Sequence, residues 1–220
     1  MKIGLVHATI NSVIPILNAF KELHPTVDIV NFMDESLIFE LNETNNITHD
    51  MTRRLIEQVS KAENAGVDAI LLTCSSFSPH VKQFKHLFNV PILSSDESML
   101  EKAVHSGKKI GVIATVEKAG PTTTKLLYDT AANLHKKIEV ETIVVTEAFQ
   151  ALQKGDEVTH DNLIHNEIDR LKKTNHVILL AQYSMSRAIK TYQDDAENII
   201  TGPEVGANSI VELATKFNNK

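Results

Sequence analysis

Short apolar runs alternate with longer amphipathic stretches from one end of the chain to the other. Between the runs, residues that share one helix face recur at helical spacing, as Leu55, Ile56, Val59 and Ala62 do. Eight apolar runs have the length of buried strands: Lys2–His7, Val27–Phe32, Ala69–Thr73, Pro91–Leu93, Lys109–Ala114, Glu139–Val145, Val177–Ala181 and Asn198–Ile200. This alternation predicts an α/β fold with parallel sheets and right-handed crossovers.

The chain also contains an internal repeat. Lys2–Gly4 recurs 107 residues later as Lys109–Gly111, and Ile70–Leu72 recurs 108 residues later as Ile178–Leu180. Because the offset is nearly the same at separated strands, chance is a poor explanation. The repeat predicts two α/β units of about four strands each, within the usual range of domain sizes.

The composition narrows the class of protein. A formal net charge of −6 leaves no basic face for nucleic acid, and no cluster of Lys and Arg suggests a membrane surface. No apolar run approaches the ~20 residues that span a bilayer, and His7, Thr9 and Asn11 interrupt the first run before it reaches the length of a signal sequence. The single cysteine excludes an internal disulfide and a thiolate-rich zinc site. We therefore expect a soluble cytoplasmic protein with no nucleic-acid or membrane partner.

Cys74 is the main candidate for chemistry. Ligands of open α/β sheets bind at the carboxyl ends of the strands, and two matching units that face each other would enclose a cleft lined by such ends. Cys74 stands at the end of the third predicted strand, just before a predicted helix start near Ser78 and Pro79. A helix N-terminus favours an anion and therefore a thiolate. The alternative is a buried structural cysteine, and position alone does not separate the two.

Small polar residues near other strand ends have the same double interpretation. Ser75 and Ser76 could bind a carboxylate through their hydroxyl and N–H groups, or they could belong to a helix cap with Ser78 as the capping residue. The segment Pro121–Thr124 opens a helix after the fifth strand, either as a plain first turn or as an anion-binding turn.

The histidines and the missing motifs limit the alternatives. His7 could serve as an acid or base, although a lone histidine at a strand end is more often structural. His160 and His165, near Asp161 on a polar helix, are expected on a solvated face, and the ten histidines show no metal-ligand pair. The absence of GxGxxG, GxxxxGK[ST] and GxSxG disfavours nucleotide cofactors and an α/β-hydrolase.

Three segments of the chain resemble the aspartate/glutamate/hydantoin racemase superfamily. They are Ile3–Thr9, Leu72–Ser76 and Ile110–Thr115 with its downstream threonines. The resemblance covers essentially the whole chain and implies two pseudo-symmetric Rossmann-like halves, each with a parallel sheet of about four strands flanked by helices. It also implies that the last helix returns to the first half. The expected domains are therefore residues 1–98 with 203–220, and residues 99–202.

The resemblance further implies a mechanism and a set of site residues. In that superfamily a site without a cofactor, and without pyridoxal phosphate, uses one cysteine from each half. One thiolate takes the proton α to a carboxylate or carbonyl, and the opposite thiol returns a proton to the other face. Cys74 matches the cysteine of the first half. The polar binding positions match Thr9, Asn11, Ser75, Ser76, Thr115, Thr122 and Thr123.

The second half departs from this pattern at the position of its cysteine. Gln182 stands there, 108 residues after Cys74. An amide does not exchange protons near neutral pH, so racemisation by two thiols is excluded, and Gln182 with Tyr183 is expected to orient the substrate or bind an anion. Superfamily members with a single cysteine catalyse decarboxylation, and others use a cysteine as nucleophile in cis–trans isomerisation.

The resulting hypothesis is a cofactor-free, cysteine-dependent isomerase or lyase of amino acid metabolism that acts on a small carboxylate. Cys74 would be its base or nucleophile, and the resemblance implies a homodimer. The alternative is a non-catalytic member of the same fold that binds a small acid as a sensor or carrier. Rapid alkylation of Cys74 at neutral pH, blocked by substrate, would distinguish the enzyme from the binding protein.

Overall fold

Every predicted apolar run forms a strand in the computed structural model, which describes residues 1–219. The strands are β1 Lys2–His7, β2 Asp28–Met33, β3 Ala69–Leu72, β4 Ile92–Ser94, β5 Lys109–Ala114, β6 Glu139–Val144, β7 Val177–Leu180 and β8 Ile199–Ile200. Each observed end lies within one residue of the predicted one. The central strands are easy to locate because a parallel sheet covered on both faces leaves them few polar positions.

Ten helices connect or follow the strands in the described part of the chain. They are α1 Val13–Leu23, α2 Ser36–Thr44, α3 His49–Asn64, α4 Ser78–Phe84, α5 Glu97–Ser106, α6 Ala119–Asn133, α7 Thr146–Gln153, α8 Glu157–Leu171, α9 Ser186–Thr191 and α10 Gly202–Asn218. Side-chain caps begin two of them: the Thr48 hydroxyl accepts the Met51 N–H at 3.1 Å, and the Asp156 carboxylate accepts the Thr159 N–H at 3.1 Å. None of these helices is long and apolar enough to cross a membrane.

The strands form two parallel sheets with the same strand order. Sheet A has the order β2-β1-β3-β4, and sheet B has the order β6-β5-β7-β8. Their registers match as well, since Val6 pairs with Leu72 in sheet A and Ile113 pairs with Leu180 in sheet B. The predicted fold class, two similar halves with parallel four-stranded sheets, is confirmed.

Two compact units divide the chain, and each takes a helix from beyond its own strands. Unit 1 comprises residues 1–95 and the described residues from 203 onward, and it contains sheet A. Unit 2 comprises residues 96–202 and contains sheet B. Helix α5 follows the last strand of sheet A but belongs to unit 2, whereas almost all of α10 follows sheet B but belongs to unit 1. Within unit 1, the ring of His24 at the end of α1 hydrogen-bonds to Asn208 of α10 at 2.8 Å.

One face of sheet A packs on an apolar cluster that includes the candidate thiol. Alternate strand residues such as Val6 and Leu72 face this cluster, and Cys74 continues the alternation beyond the end of β3. Helices α2, α3 and α4 cover the cluster with Leu37, Ile38, Leu41, Met51, Leu55, Val59, Ala62, Val81 and Phe84. His7 and Thr73 occupy the intervening positions and therefore face the opposite side of the sheet.

Close packing between Gly202 and the ring of Tyr183 suggests a test of the fold. A Cβ atom on Gly202 would lie 2.6 Å from Tyr183 Cδ1 and closer still to Cε1, and the rigid ring is buried. We expect Gly202→Ala to lower the free energy of unfolding by about 1–3 kcal/mol, the usual cost of overpacking. Gly4→Ala is the matched control, because its Cβ would lie 3.2 Å from the Ala62 Cβ and should cost less. Urea denaturation followed by circular dichroism measures both, and equal effects would contradict the prediction.

Candidate active site

Cys74 lies in a buried polar loop at the carboxyl end of sheet A. The Thr73 N–H donates to the Val6 carbonyl at 3.0 Å, so the chain stays beside β1 for one residue after β3 ends. Cys74 then has an extended backbone, with φ −112° and ψ 112°, and leads into a 3₁₀ turn at Ser75–Phe77. Cys74 is 8% exposed, and the side chains of Ser75 and Ser76 are buried beside it in sequence.

The predicted cap of the following helix is wrong. Ser78 is the first residue of α4 rather than the residue before it, and Phe77 occupies the cap position. Phe77 already has helical dihedral angles because the 3₁₀ turn runs directly into the helix, whereas a capping residue needs an extended backbone. The buried Ser78 hydroxyl therefore accepts nothing from the helix and makes no hydrogen bond with any described residue.

The turn after β1 carries the first polar residues predicted for the site. Thr9 begins a 3₁₀ turn at Ile10–Ser12, where its hydroxyl accepts the Asn11 N–H at 3.3 Å. Glu35, in the loop after β2, accepts the Ile10 N–H at 3.0 Å. The first two N–H groups of the turn are thus paired, while the buried Nδ2 of Asn11 has no hydrogen-bond partner among the described residues.

His7 is the centre of a buried hydrogen-bond network that links this turn to the cysteine loop. Its Nδ1 lies 2.8 Å from the Thr73 hydroxyl and 3.1 Å from the Ser12 hydroxyl, and its Nε2 lies 2.9 Å from Asn31 Oδ1. The Ser12 hydroxyl also donates to the Thr9 carbonyl at 2.9 Å. No local pattern in the sequence pairs His7 with any of these three side-chain partners.

The environment of His7 holds its ring in the neutral form. The ring is fully buried, which lowers its pKa below the ordinary value, and the hydrogen bond with Asn31 opposes that shift only in part. With Asn31 Oδ1 as the acceptor at Nε2, that nitrogen carries the hydrogen and Nδ1 is left as an acceptor for the Thr73 hydroxyl, which lies 2.8 Å from Nδ1 and 3.3 Å from the Val6 carbonyl oxygen. His7 therefore joins a donor to an acceptor within one rigid ring.

In unit 2 the equivalent strand end holds Gln182 in one orientation. Its Oε1 accepts the Thr115 N–H at 2.8 Å and the Thr115 hydroxyl at 3.2 Å. With the carbonyl end held in this way, the buried Nε2 is left without a partner among the described residues. The side chain therefore offers a fixed N–H donor and no acid or base.

The other polar residues predicted in unit 2 differ in how accessible they are. Helix α6 begins at Ala119, two residues before the predicted start, so Thr122 and Thr123 lie just inside it. Thr122 is half-buried, whereas Thr123 is fully buried and its hydroxyl has no described partner. Tyr183 is buried beneath Gly202, and its hydroxyl also has no described partner. Burial, aided by the charge of Asp96, raises the pKa of the Tyr183 hydroxyl, which therefore stays protonated.

The prediction of a solvated face around His160 is wrong. His160 is fully buried and its Nδ1 lies 2.8 Å from Asp161, which is itself buried and 3.3 Å from Arg187 Nε. His160 precedes Ile164 by one helical turn, so it falls on the apolar stripe of α8. The ion pair with Arg187 compensates the buried carboxylate, and no local pattern places that arginine of α9 there. His165 is half-buried and donates through Nε2 to the Ala188 carbonyl at 2.7 Å.

The candidate residues therefore form two sets, and in the described chain Asn11, Thr123, Gln182 and Tyr183 each have a buried polar atom without a hydrogen-bond partner. In unit 1, Thr9, Asn11, Cys74, Ser75 and Ser76 lie at the ends of the neighbouring strands β1 and β3. The unit 2 set consists of Thr115, Thr122, Thr123, Gln182 and Tyr183. A buried polar group without a partner costs about 1–3 kcal/mol, so these atoms are candidates for hydrogen bonds to water or to a bound ligand. Within residues 1–219, no group of three His, Cys, Asp or Glu side chains could hold a metal ion.

Comparison with known proteins identifies relatives of the whole chain. A sequence model of the family described as Asp/Glu/Hydantoin racemase matches residues 8–210. The curated proteins include no match by sequence.

Solved structures of racemases share the fold at low sequence identity. An aspartate racemase homologue from Pyrococcus horikoshii has a TM-score of 0.74 at 16% identity, over 97% of this chain and 99% of the other. Glutamate racemase from Aquifex pyrophilus has a TM-score of 0.66 at 22% identity, over 96% and 83%. Allantoin racemase from Klebsiella pneumoniae has a TM-score of 0.70 at 13% identity, over 98% and 88%.

Acid should destabilise the protein through its buried histidines. Burial holds the pKa of His7 and of His160 below the ordinary value, so below about pH 6.5 the unfolded chain binds protons that the folded chain does not. The free energy of unfolding should fall between about pH 6.5 and pH 5, by at most about 1.4 kcal/mol per pH unit for each histidine. Urea denaturation across this range measures the slope, which His160→Leu should reduce. A wild-type midpoint that does not change over this range would contradict the prediction.

Proposed function

Because the chain belongs to the Asp/Glu/hydantoin racemase family, we propose that it is an isomerase-type enzyme in which the Cys74 thiolate acts on the carbon α to a carboxylate or carbonyl of a small acid. The observation that carries the proposal is the position of Cys74 at the carboxyl end of β3, directly followed in the chain by the buried serines Ser75, Ser76 and Ser78. Ligands of parallel α/β sheets bind at this edge.

The proposed chemistry needs only a thiolate and hydrogen-bond donors. The thiolate takes the α proton, so an S–H bond forms as the Cα–H bond breaks, and the electron pair moves into the neighbouring carbonyl to give an enolate-like anion. Donors such as Asn11 Nδ2 and the Ser78 hydroxyl, both unused in unit 1, are suited to a carboxylate or to the developing charge. Return of the proton from the thiol to a different atom of the anion isomerises the substrate and regenerates the thiolate, whereas its return to the α carbon from the same side only exchanges the α hydrogen.

Gln182 supports a reaction at one face of the substrate. It stands where the resemblance puts a second cysteine, and Thr115 holds its amide so that it offers an N–H donor. We assign it to binding an oxygen of the substrate. The same arrangement suits decarboxylation as a second candidate reaction: the bond to the carboxylate breaks, carbon dioxide leaves, and the Cys74 thiol protonates the carbanion from its own side.

The competing proposal is a protein of this fold that binds a small acid without reacting with it. Both proposals use the same polar groups, and they differ only in the role of the thiol. Alkylation of Cys74 by iodoacetamide near neutral pH, and protection by the acid, is expected for the enzyme. A cysteine that reacts only in alkali, in a protein that nevertheless binds the acid, favours the binding protein.

Removal of the thiol tests the catalytic role directly. We expect Cys74→Ser to keep the fold and to lower α-proton exchange into D₂O by about 100-fold to 10,000-fold, because a hydroxyl does not ionise near neutral pH. Proton NMR of aspartate, glutamate and hydantoins incubated with the protein measures the exchange. The double variant Cys74→Ser/Ser106→Cys is the matched control, since it restores one thiol at an exposed position on α5. Wild-type exchange in Cys74→Ser would contradict the proposal.

The stereochemical outcome tests the assignment of Gln182. With one thiol and an amide, the native protein should exchange the α proton, or remove the carboxylate, without interconverting enantiomers at a comparable rate. The assay incubates each enantiomer in D₂O and compares deuterium incorporation by mass spectrometry with enantiomeric excess by chiral chromatography. Loss of enantiomeric excess as fast as deuterium enters would show a second acid and would contradict this assignment.

A further inference from the structure

The His7 network connects two loops that come from different strands of unit 1. Ser12 lies in the turn after β1, which carries Asn11, and Thr73 directly precedes Cys74 after β3. The Ser12 and Thr73 hydroxyls lie 3.0 Å apart, and both lie within 3.1 Å of His7 Nδ1. Through these contacts one ring lies against both loops that carry the candidate groups of unit 1.

Unit 2 has the same backbone at this place without the network. Thr73 N–H donates to Val6 O in unit 1 at 3.0 Å, and the equivalent bond in unit 2 runs from Ala181 N–H to Ile113 O at 2.9 Å. A second bond also matches, from residue 12 to residue 9 in unit 1 and from residue 119 to residue 116 in unit 2. These bonds and the strand ends make the residues equivalent to His7, Ser12 and Thr73 three buried alanines: Ala114, Ala119 and Ala181.

Three methyl groups therefore suffice to pack this strand edge. Replacing both partners of a buried hydrogen bond by apolar groups of fitting shape is often close to neutral for stability. The cost of burying an imidazole and two hydroxyls in unit 1 is thus not required by the topology. The two units also differ at the residue that follows this strand end, which is Cys74 in unit 1 and Gln182 in unit 2. The imidazole and the two hydroxyls therefore occur in the unit that carries the thiol.

We infer that His7 is a positioning residue for Cys74, an inference that rests on the proposed function. The neutral ring is anchored at Nε2 by Asn31 and holds the Thr73 hydroxyl at Nδ1. Thr73 and Cys74 face opposite sides of the sheet, so His7 acts through the backbone and does not exchange protons with the substrate. Ser12 lies 3.1 Å from the same nitrogen but donates its hydrogen to the Thr9 carbonyl, so the ring packs against the Asn11 turn and hydrogen-bonds only to the thiol loop.

Only a neutral imidazole can donate a hydrogen bond to Asn31 at Nε2 and accept one from Thr73 at Nδ1. A protonated ring would donate at both nitrogens and lose its acceptor for Thr73. The groups that face the ring, Ser12, Asn31 and Thr73, carry no charge, and burial disfavours the cation. The thiol loop therefore keeps one position at neutral pH, which matters because a shift near 1 Å can cost about 100-fold in rate.

Two single substitutions separate the contacts of the ring. His7→Asn keeps an acceptor at the place of Nδ1 for Thr73 but does not reach Asn31, whereas His7→Gln keeps a donor near Nε2 and loses the acceptor. If the ring positions Cys74, His7→Gln should lower the rate of α-proton exchange per folded molecule by about 10-fold to 100-fold. His7→Asn should lower this rate less. The opposite order, or no effect in either variant, would overturn the inference.

A measurement without substrate keeps this test independent of the proposed function. The rate of Cys74 alkylation by iodoacetamide is followed from about pH 6 to pH 9.5 for the wild type and each variant. His7→Gln should shift the midpoint or the plateau of this profile, and His7→Asn should stay closer to the wild type. A wild-type cysteine that reacts only in alkali would count against the proposed function, yet the profiles could still be compared. Superimposable profiles would overturn the inference whatever the substrate.

Two further variants exclude a merely structural effect. His160→Leu removes another fully buried histidine, remote from β1 and β3 in sequence, and should alter stability while leaving the alkylation profile unchanged. The triple variant His7→Ala/Ser12→Ala/Thr73→Ala copies the alanines of unit 2. It should fold, as judged by circular dichroism, and should lose exchange activity at least as far as His7→Gln does. Failure of this variant to fold would contradict the premise that alanines suffice here, and would overturn the inference.

Discussion

Parallel pairing of β1 with β3 brings the ends of these two strands side by side, and the candidate site of unit 1 depends on this pairing. Val6 opposite Leu72 fixes the register, so that His7 comes next to Thr73 and the Cys74 loop begins beside the Asn11 turn. A change of register by one residue would turn Cys74 to the other face of the sheet. The short apolar runs thus determine where the candidate residues lie.

The same topology supports two different kinds of strand end in one chain. In unit 1, a neutral histidine holds a threonine beside a cysteine, whereas in unit 2 alanines occupy these positions and Thr115 holds an amide. A thiol can change its charge and an amide cannot. The two units therefore share the same backbone arrangement at this strand end but carry side chains with different chemical properties. This asymmetry is the reason for proposing a one-sided reaction in a fold that the chain shares with racemases.

The strands could be predicted to within one residue because each is a short apolar run bounded by polar residues. The matching units could be predicted because the repeat survives in the strands themselves. Helix starts were less accessible: Ser78 has the sequence of a cap, yet the 3₁₀ turn before it removes the extended backbone that a cap needs. His160 looks polar in sequence, but its burial depends on the register of α8 and on Arg187 from another helix.

The sequence by itself determined the fold class, the family and the residues that follow each strand, since these depend on patterns a few residues long. Only the tertiary structure decided which of those residues meet and in which orientation. The partners of His7 and of Gln182 lie 66 and 67 residues away along the chain, at Thr73 and Thr115. No local pattern encodes such contacts. Pairing of distant strands brings the partners together, and packing at the strand ends then determines which hydrogen bonds form.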